Sequence, residues 1–471
     1  MHAGTAPGTK IVAIIGGGVS GALTAFHLRW NSAATRVVVI DPRPELGLGL
    51  AYSTPSLRHL LNVPAGKISA LPADPGHFLA WLRENYDPEA SAMTFAPRAV
   101  FGCYVRALLS QTMGIEHLQT EVLDLQSTGN AATLTLRDGS TLHADGVVLA
   151  TGNFDPAALP GIDTAAVESG AYCHNAWSEA TYANLPADAP VTLIGTGLTG
   201  VDVVLRLREM GHTGTITAVS RHGVFPNRHA GYTPAERSAI PAGTPATCVS
   251  YLRVLRAAIA NDMEWRAAID SLRSTTNDLW LALPLQEQKR FRRHLQRRWD
   301  VVRHRMAPPI ADIIEGELAA GSLKIVEGHL VGVSAEPAGA TISLRTADGQ
   351  SALRARRVIN CTGPSMNYRR VGSPLIASLF AQGLAVPGPL GGGLSSTRFG
   401  ALIDARGAAS SVLFNLGPGR LGTLLESIAI PEIREQAVEI AAILAGRLRQ
   451  RTDTFAATLA TVNRNTMPVL A

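Results

Sequence analysis

An apolar run that breaks into three spaced glycines constrains the fold of this chain more than any other feature. Residues 10–15 read Lys-Ile-Val-Ala-Ile-Ile, the pattern Gly16-x-Gly18-x-x-Gly21 follows, and residues 22–28 carry the apolar spacing of a helix. This order predicts a strand, a tight turn and a helix. Glycines let the backbone approach a pyrophosphate closely, and the N-terminus of the helix stabilises its negative charge. The stretch therefore predicts a dinucleotide-binding site.

An acidic residue stands where such a site needs one. The next apolar run, residues 36–40, ends at Asp41. Asp41 follows Gly21 by about twenty residues, the distance at which a carboxylate can bind the ribose hydroxyls of an adenosine. A single glycine pattern would also fit a turn that binds nothing, because a chain with 45 glycines produces chance matches. The strand before the glycines, the helix after them and Asp41 together favour the nucleotide site.

The same arrangement occurs again near the middle of the chain. Residues 191–205 read as a strand, a second glycine pattern from Gly195 to Gly200, and a helix. Two copies in the correct context are far less probable by chance than one, so we expect two nucleotide-binding units. The second strand of this unit ends at Ser220 and Arg221 without an acid. These two residues suit a 2′-phosphate and predict NADPH in preference to NADH, unless Arg221 merely faces solvent.

Three later turns extend this plan. Two buried strands end in Thr-Gly, at residues 149–152 and 360–363. A third strand leads into a glycine turn at residues 417–422 and a closing helix with Glu426, which predicts backbone amides that face a cofactor. We expect an α/β fold with two Rossmann-like dinucleotide-binding domains, the second inserted in the first. The predicted parts are residues 1–160 (first domain, first part), 186–355 (second domain) and 356–471 (first domain, second part).

A helical, arginine-rich insertion interrupts the second domain at about residues 228–318. Three interpretations stay open: a solvated basic face, closure over NADPH phosphates or an anionic substrate, and RNA binding, for which stacking aromatics are scarce. The run Arg303-His304-Arg305 precedes Met-Ala-Pro-Pro. A helix end followed by prolines can place a cation at a cleft, and we assign Arg303 to that role.

Composition excludes several other classes of protein. With 471 residues, 46% hydrophobic and 17% charged, the chain can form two or three ordinary cores. A net charge of +5 is small for a chain of this length and does not predict a nucleic-acid partner. No apolar stretch reaches the roughly twenty residues that cross a bilayer, so we expect a cytoplasmic enzyme without a membrane partner. The four cysteines are far apart, which predicts buried thiols and neither a disulfide framework nor a metal site.

The two glycine patterns and the two Thr-Gly strand ends resemble the glutathione-reductase-like superfamily. A closer resemblance, over nearly the whole chain, is to the bacterial FAD-NAD(P)-binding family related to class B flavin monooxygenases. The motifs that carry it are Gly49-Leu-Ala-Tyr52-Ser, Leu61-Asn62-Val-Pro64-Ala, Asp74-Pro-x-His77-Phe-x-x-Trp81-Leu, Gly195-Thr-Gly-Leu-Thr-x-x-Asp202-Val-Val and Ser220-Arg221-x-Gly-x-x-Pro226. The resemblance implies FAD in the first domain and NADPH in the second.

The segment between the two units carries a further similarity. Gly170-Ala-Tyr-Cys-His174-Asn-Ala-Trp177 is similar to the G-x-x-x-H-x-x-x-(W/Y) linker signature of class B monooxygenases. The aromatic residue comes one position early, and Glu168 replaces a phenylalanine, which disfavours Baeyer–Villiger oxidation in particular. By this similarity His174 is a candidate catalytic residue; alternatively, it packs the crossing between the domains.

The resemblance implies an oxygenation reaction. Disulfide reductases of this superfamily need a cysteine pair beside the flavin, and this chain has none. The prediction is therefore a monooxygenase that uses NADPH, FAD and molecular oxygen to oxygenate a small molecule through a flavin C4a-hydroperoxide. Two alternatives remain: an NADPH:acceptor flavin oxidoreductase without oxygen insertion, and a non-catalytic flavin-bound sensor.

The predicted site residues follow from these motifs. By resemblance Asn62 lies beside the isoalloxazine as a hydrogen-bond donor, although an asparagine before Val-Pro also forms turns. Pro418 cannot donate a backbone hydrogen bond, so a neighbouring amide such as that of Gly419, or the helix expected to begin near Leu421, should contact the flavin instead. The predicted catalytic residues are Asn62, His174 and Arg303. The predicted cofactor-binding residues are Gly16, Gly18, Val19, Ser20, Gly21, Asp41, Arg43, Asn62, Val63, Thr151, Gly152, Gly195, Gly197, Leu198, Thr199, Gly200, Ser220, Arg221, Thr362, Gly363, Gly417 and Gly419.

Overall fold

The structure, a computed structural model, describes residues 9–465. The outermost parts of the predicted first domain, residues 1–8 and 466–471, lie outside this range. The first section of the chain contains a 3-10 helix at Ala65–Lys67 and the following elements: β1 (Ile11–Ile15), α1 (Val19–Asn31), β2 (Arg36–Ile40), α2 (Gly49–Tyr52), α3 (His77–Asn85), α4 (Arg98–Ser110), β3 (Ile115–Leu118), β4 (Val122–Ser127), β5 (Ala132–Leu136), β6 (Thr141–Ala144) and β7 (Gly146–Leu149).

The middle section contains the second glycine pattern and the helical insertion. Apart from a 3-10 helix at Glu179–Thr181, its elements are α5 (Thr164–Glu168), β8 (Tyr172–Cys173), β9 (Val191–Ile194), α6 (Leu198–Glu209), β10 (Ile216–Ser220), α7 (Cys248–Ala260), α8 (Trp265–Asp270), α9 (Thr276–Ala282), α10 (Leu285–His294), α11 (Gln296–Arg303) and α12 (Pro308–Ala319).

The last section returns to strands and ends in a long helix. Apart from 3-10 helices at Tyr368–Arg370 and Gly417–Gly422, its elements are β11 (Leu323–Glu327), β12 (His329–Glu336), β13 (Gly339–Thr346), β14 (Gly349–Ala355), β15 (Arg357–Asn360), α13 (Pro374–Ala381), β16 (Ala401–Ile403), β17 (Ala409–Asn415) and α14 (Ile430–Asn465).

The first sheet has the strand order β16-β17-β7-β1-β2-β3, and only the β16–β17 pair is antiparallel. Along β1, Val12 and Ile14 pack on one face, whereas Ala13 and Ile15 pack on the other. Helices α1 and α14 cover the first face, and the antiparallel strands β4, β5 and β6 with α13 cover the second. Because both faces are buried, the central strands β1 and β7 are apolar throughout, as parallel strands usually are.

The second sheet repeats this architecture with the order β11-β10-β9-β15-β8, in which all pairs are parallel. Helices α6 and α12 cover one face, and the antiparallel strands β12, β13 and β14 cover the other. The predicted α/β fold with two Rossmann-like sheets is therefore confirmed. Among the helices of residues 9–465, none combines the length and the apolar character needed to cross a membrane.

One strand differs from its predicted place. We assigned residues 356–363 to the return of the chain to the first domain, but β15 lies in the second sheet, between β9 and β8. The physical reason is that each glycine turn packs against the Thr-Gly end of a neighbouring strand in its own sheet. The glycine turn after β1 packs against the end of β7, and the glycine turn after β9 packs against the end of β15. The chain therefore returns to the first sheet after Asn360.

Candidate functional site

Both glycine patterns form turns that require glycine at the first position. Gly16 has a φ of 105°, and a Cβ there would lie 2.2 Å from the carbonyl oxygen of Ala150. Gly195 has a φ of 122°, and its Cβ would lie 2.5 Å from the carbonyl oxygen of Cys361. Neither position admits a side chain without displacing backbone. Each turn thus fits tightly against the end of the strand beside it.

Asp41 lies next to the first turn, at the carboxyl end of β2. Its Oδ2 accepts a hydrogen bond of 2.6 Å from the backbone N–H of Gly17, and Arg43 donates to both carboxylate oxygens at 2.9 and 3.0 Å. Burial raises the pKa of the Asp41 carboxyl, but the hydrogen bonds from Arg43 and Gly17 outweigh burial and lower it. Asp41 is therefore an ionised acceptor at the place predicted for the ribose, with Arg43 beside it.

The turn that closes the first sheet packs against the start of α1. Gly417 has a φ of 73°, and a Cβ there would lie 2.8 Å from Oγ of Ser20. The backbone N–H of Gly417 donates to Gln436 at 3.1 Å, and its carbonyl accepts from Ser427 at 2.6 Å. The structure thus brings the predicted residues Ser20 and Gly417 together.

The prediction of a helix directly after this turn, with Glu426 in it, is wrong. Only residues 417–422 are helical, as a short 3-10 helix, and Glu426 lies in the irregular segment before α14. Three glycines and Pro418 within six residues disfavour an α-helix here.

A cleft with a volume of about 980 Å³ is lined by loop and helix residues of the first nucleotide-binding unit, by residues of the second sheet and by the helical insertion. A Cβ at Gly197 would meet no atom within 4 Å, so the second glycine turn faces open space. At Gly200 a Cβ would lie 2.7 Å from the carbonyl oxygen of Gly195, which explains why this position is a glycine. The predicted residues that line the cleft are Asn62, Gly195, Gly197, Leu198, Thr199, Ser220, Arg221, Thr362 and Gly363.

Ser220 and Arg221 form one corner of this cleft. Oγ of Ser220 accepts hydrogen bonds from Oγ1 of Thr196 at 2.9 Å and from the backbone N–H of Gly223 at 3.1 Å. Its own hydroxyl proton is therefore available to a ligand. Arg221 is exposed on the cleft wall. An acid that we did not predict, Glu327, ends the adjacent strand β11 and pairs in register with Ser220.

Asn62 lies on a loop that the helical insertion anchors. Nε2 of His229 donates to the backbone carbonyl of Asn62 at 3.1 Å, and the His229 ring packs against Phe95. Burial, together with the nearby Arg305, lowers the pKa of His229 to about 4, so the imidazole is neutral at pH 7. Within the described residues the Asn62 side chain makes no hydrogen bond, and it lines the cleft. Its amide is thus a free donor on the cleft wall.

Arg303 has a different environment from the one predicted. Its guanidinium donates to both carboxylate oxygens of Glu426, at 2.8 and 2.5 Å, and to Glu432 at 3.4 Å. The side chain is buried and does not line the cleft, although Glu426 does. The sequence could not indicate these partners, because they lie more than a hundred positions away. The position favours a structural link between α11 and the closing turn over a catalytic role.

The linker segment brings its tryptophan to the cleft and leaves its histidine outside. Nδ1 of His174 lies 3.5 Å from the hydroxyl of Tyr172 on the same short segment. Trp177 lines the cleft and packs edge-on against His59. This placement favours the packing interpretation of His174, and its catalytic role stays a prediction.

An ion pair between the two nucleotide-binding units was not predicted. Nη2 of Arg98, in the first unit, donates to both carboxylate oxygens of Asp202 on α6, at 2.6 and 2.7 Å. Nε2 of His59 donates to the backbone carbonyl of Asp202 at 2.9 Å. The only sequence signal was an aspartate within the apolar helix that follows the second glycine turn. These contacts fix α6 relative to the first sheet.

The cysteines do not form a redox pair. All four are free thiols, and burial raises the pKa of Cys173, Cys248 and Cys361. Cys361 borders the cleft but is buried, whereas Cys103 is exposed, so the prediction of a buried thiol is wrong for Cys103. Raised pKa values disfavour the thiolate that attacks a flavin or a disulfide. Among the described residues, no three His, Cys, Asp or Glu side chains are grouped so that they could hold a metal ion.

Comparison with known protein families gives a match within the first nucleotide-binding unit. Residues 13–154 match the family described as FAD-NAD(P)-binding. This range begins in β1 and ends just after Thr151 and Gly152. No curated protein matches the sequence.

Solved structures share the fold over almost the whole chain. Ornithine hydroxylase from Pseudomonas aeruginosa in its reduced form has a TM-score of 0.63 at 16% identity, covering 93% of this chain and 100% of that one. Ornithine N-hydroxylase from Kutzneria sp. 744, with reduced FAD, NADP⁺ and L-ornithine, has a TM-score of 0.62 at 14% identity, covering 95% and 100%. Cadaverine monooxygenase from Erwinia amylovora, bound to FAD, has a TM-score of 0.62 at 14% identity, covering 93% and 94%.

Proposed function

We propose that this protein is an FAD- and NADPH-dependent monooxygenase that oxygenates a small molecule. The observation that carries the proposal is that both nucleotide-binding units line one cleft. The second glycine turn, the Thr362-Gly363 strand end and Asn62 of the first unit all line it. A nicotinamide nucleotide bound at the second turn would therefore reach toward a flavin bound by the first unit.

The first unit fits FAD. Asp41 is an ionised acceptor for a ribose, α1 presents its N-terminus to a pyrophosphate, and the turn at Gly417 lies beside Ser20 at the start of the same helix. Bound FAD would supply hydride acceptance and oxygen activation, which no amino-acid side chain provides. The match of residues 13–154 to the FAD-NAD(P)-binding family supports the same cofactor.

The chain itself would bind, orient and shelter the reactants. The free amide of Asn62 can donate a hydrogen bond at the cleft wall. Apolar side chains that line the same cleft, including Leu60, Met306, Leu421 and Leu425, limit the access of water. The ion pair between Arg98 and Asp202 fixes the relative position of the two nucleotide sites.

The solved structures support oxygenation at nitrogen as the first reaction to test. The three solved structures are those of hydroxylases or monooxygenases of ornithine and cadaverine, both of which carry primary amines. Their fold is shared with this chain over more than nine tenths of its length. We therefore propose primary amines as the first substrate panel.

The test is the stoichiometry of the complete reaction. Purified FAD-loaded protein is mixed with NADPH, oxygen and single amines, and NADPH, oxygen, peroxide and hydroxylated product are measured together. We expect one amine to give equal amounts of NADPH oxidised, oxygen consumed and product formed. NADPH oxidation that yields only peroxide or a reduced acceptor with every compound would favour the oxidoreductase alternative. No NADPH oxidation at all would favour the sensor.

A further inference from the structure

Helix α11 of the insertion borders the second glycine turn through Arg297. Nη2 of Arg297 donates to the backbone carbonyl and Oγ1 of Thr196, at 3.3 and 3.0 Å, and to the backbone carbonyl of Val224 at 2.6 Å. Thr196 lies inside the glycine pattern, and Val224 lies just beyond Arg221. The insertion therefore contacts both ends of the corner where Ser220 and Arg221 stand.

Among residues 9–465 the remaining donors of Arg297 make no hydrogen bond. All three hydrogen bonds of its side chain within the described residues come from Nη2. Because a guanidinium has five N–H donors in a planar fork, Nε and Nη1 stay available to a ligand in the cleft that Arg297 lines. Through Thr196, which donates on to Ser220, Arg297 also orients the Ser220 hydroxyl.

We propose that Arg297 is a second cationic ligand for the 2′-phosphate of NADPH, joining Arg221 and Ser220, and thereby a determinant of coenzyme specificity. This inference rests on the proposed NADPH-dependent function. It selects, from the interpretations of the arginine-rich insertion, closure over a nucleotide phosphate. It also assigns the role to a residue six positions before Arg303, whose guanidinium is engaged by Glu426.

The charges around this corner favour a dianion. Burial lowers the pKa of Arg297, and the like charge of Arg221 lowers it further, against the opposing effect of Asp300. Asp300 is partly engaged, because its Oδ1 accepts a 2.6 Å hydrogen bond from Gln296. A phosphate between Arg221 and Arg297 would relieve the repulsion between the two cations and gain charge-assisted hydrogen bonds. Glu327 pairs in register with Ser220 on the adjacent strand, and it would disfavour a phosphate that binds on the β11 side.

The test uses four forms of the FAD-loaded protein: wild type, Arg297→Ala, Arg297→Gln and the matched control Arg298→Ala. Arg298 is the next residue on α11 and is exposed. Calorimetry measures Kd for NADP⁺, NAD⁺, 2′,5′-ADP and 5′-AMP. Because Arg297→Ala removes charge-assisted hydrogen bonds to the 2′-phosphate, we expect it to raise Kd for NADP⁺ and 2′,5′-ADP by about ten- to hundredfold. Kd for NAD⁺ and 5′-AMP, which lack this phosphate, should rise by less than about threefold.

The Gln and control variants separate charge from local structure. Glutamine can keep a hydrogen bond to Thr196 or Val224 without the positive charge, so Arg297→Gln is expected to lose the 2′-phosphate preference as Arg297→Ala does. Arg298→Ala is expected to bind all four ligands as wild type does. Equal weakening of NADP⁺ and NAD⁺ in both variants would show that Arg297 only supports the turn, and unchanged NADP⁺ binding would exclude the contact; both results overturn the inference.

Failure of the proposed function would look different. If wild type binds NAD⁺ more tightly than NADP⁺ and does not bind 2′,5′-ADP, the coenzyme assignment itself is wrong. If wild type prefers NADP⁺ and only the Arg297 variants behave unexpectedly, the proposed function stands and the role of Arg297 falls. Because the measurement is binding, it needs no substrate and no turnover.

Discussion

The two nucleotide sites have the same glycine turn but differ in whether other residues pack over that turn. In both, the first glycine of the pattern packs against the carbonyl oxygen at the end of a neighbouring strand. At the first site the middle glycine, Gly18, lies under α2, because a Cβ there would be 3.3 Å from Cα of Gly49. At the second site the equivalent Gly197 faces the open cleft. A covered turn suits a cofactor that stays bound, and an open turn suits a coenzyme that enters and leaves in each cycle.

The two sites also differ in charge at the end of the second strand. Asp41 is buried and ionised at the first site, whereas the second site has Ser220 followed by the exposed Arg221. An acid accepts from ribose hydroxyls and repels a 2′-phosphate, while an arginine binds one. The same local fold can therefore select different nucleotides through one strand end.

The largest expected effect comes from filling each turn separately. Gly18→Trp is expected to give a colourless protein, because the side chain would occupy the space between the first turn and α2. The matched variant Gly197→Trp is expected to stay yellow but not to bind NADP⁺, because its side chain would fill the open cleft. Absorbance spectra of the purified proteins and calorimetry with NADP⁺ check both results. Full flavin occupancy in a soluble Gly18→Trp protein would contradict the assignment of the first site.

Exchanging the strand-end chemistry is expected to have the next largest effect. Ser220→Asp gives the second site the acid of the first, and Arg221→Ala removes the exposed cation. Loss of one to two charge-assisted bonds predicts a fall in kcat/KM for NADPH of about tenfold in Arg221→Ala and about a hundredfold in Ser220→Asp. Values for NADH should change little. Steady-state kinetics with both coenzymes check this, and equal losses for NADPH and NADH would refute the specificity argument.

A smaller effect is expected from the ion pair that joins the two units. Arg98→Met leaves the buried Asp202 carboxylate without its partner, which commonly costs about 3 kcal/mol or more. We expect a lower Tm and slower flavin reduction by NADPH at saturation, because α6 loses its fixed position. The double variant Arg98→Met/Asp202→Leu should recover much of the Tm.

The control for this prediction is a pair within the second unit. Arg228 forms ion pairs with Asp312 and Glu315 at the protein surface, and Arg228→Met should change Tm little because solvent screens such exposed pairs. If Arg228→Met lowers Tm as much as Arg98→Met does, the claim that the ion pair between the units matters more than a surface pair is wrong.

The parts of the fold that the sequence predicts are those with local signals. The glycine turns, Asp41 and the Ser220-Arg221 strand end lie within a few residues of the patterns that identify them. The sheet to which β15 belongs was not predictable, because residues 149–152 and 360–363 carry the same Thr-Gly signal, and sheet membership depends on pairing with distant strands. The partners of Arg303 and Arg98 were hidden for the same reason.

The most direct test of the central claim is anaerobic mixing of the FAD-bound protein with NADPH while the absorbance of oxidised flavin at about 450 nm is followed. If the two sites pass a hydride across the shared cleft, NADPH bleaches the flavin in wild type, NADH does so more slowly, and Gly197→Trp stays yellow. A flavin that remains oxidised in wild type, under conditions in which calorimetry shows NADP⁺ bound, would contradict the claim that the cleft joins a nicotinamide to a flavin.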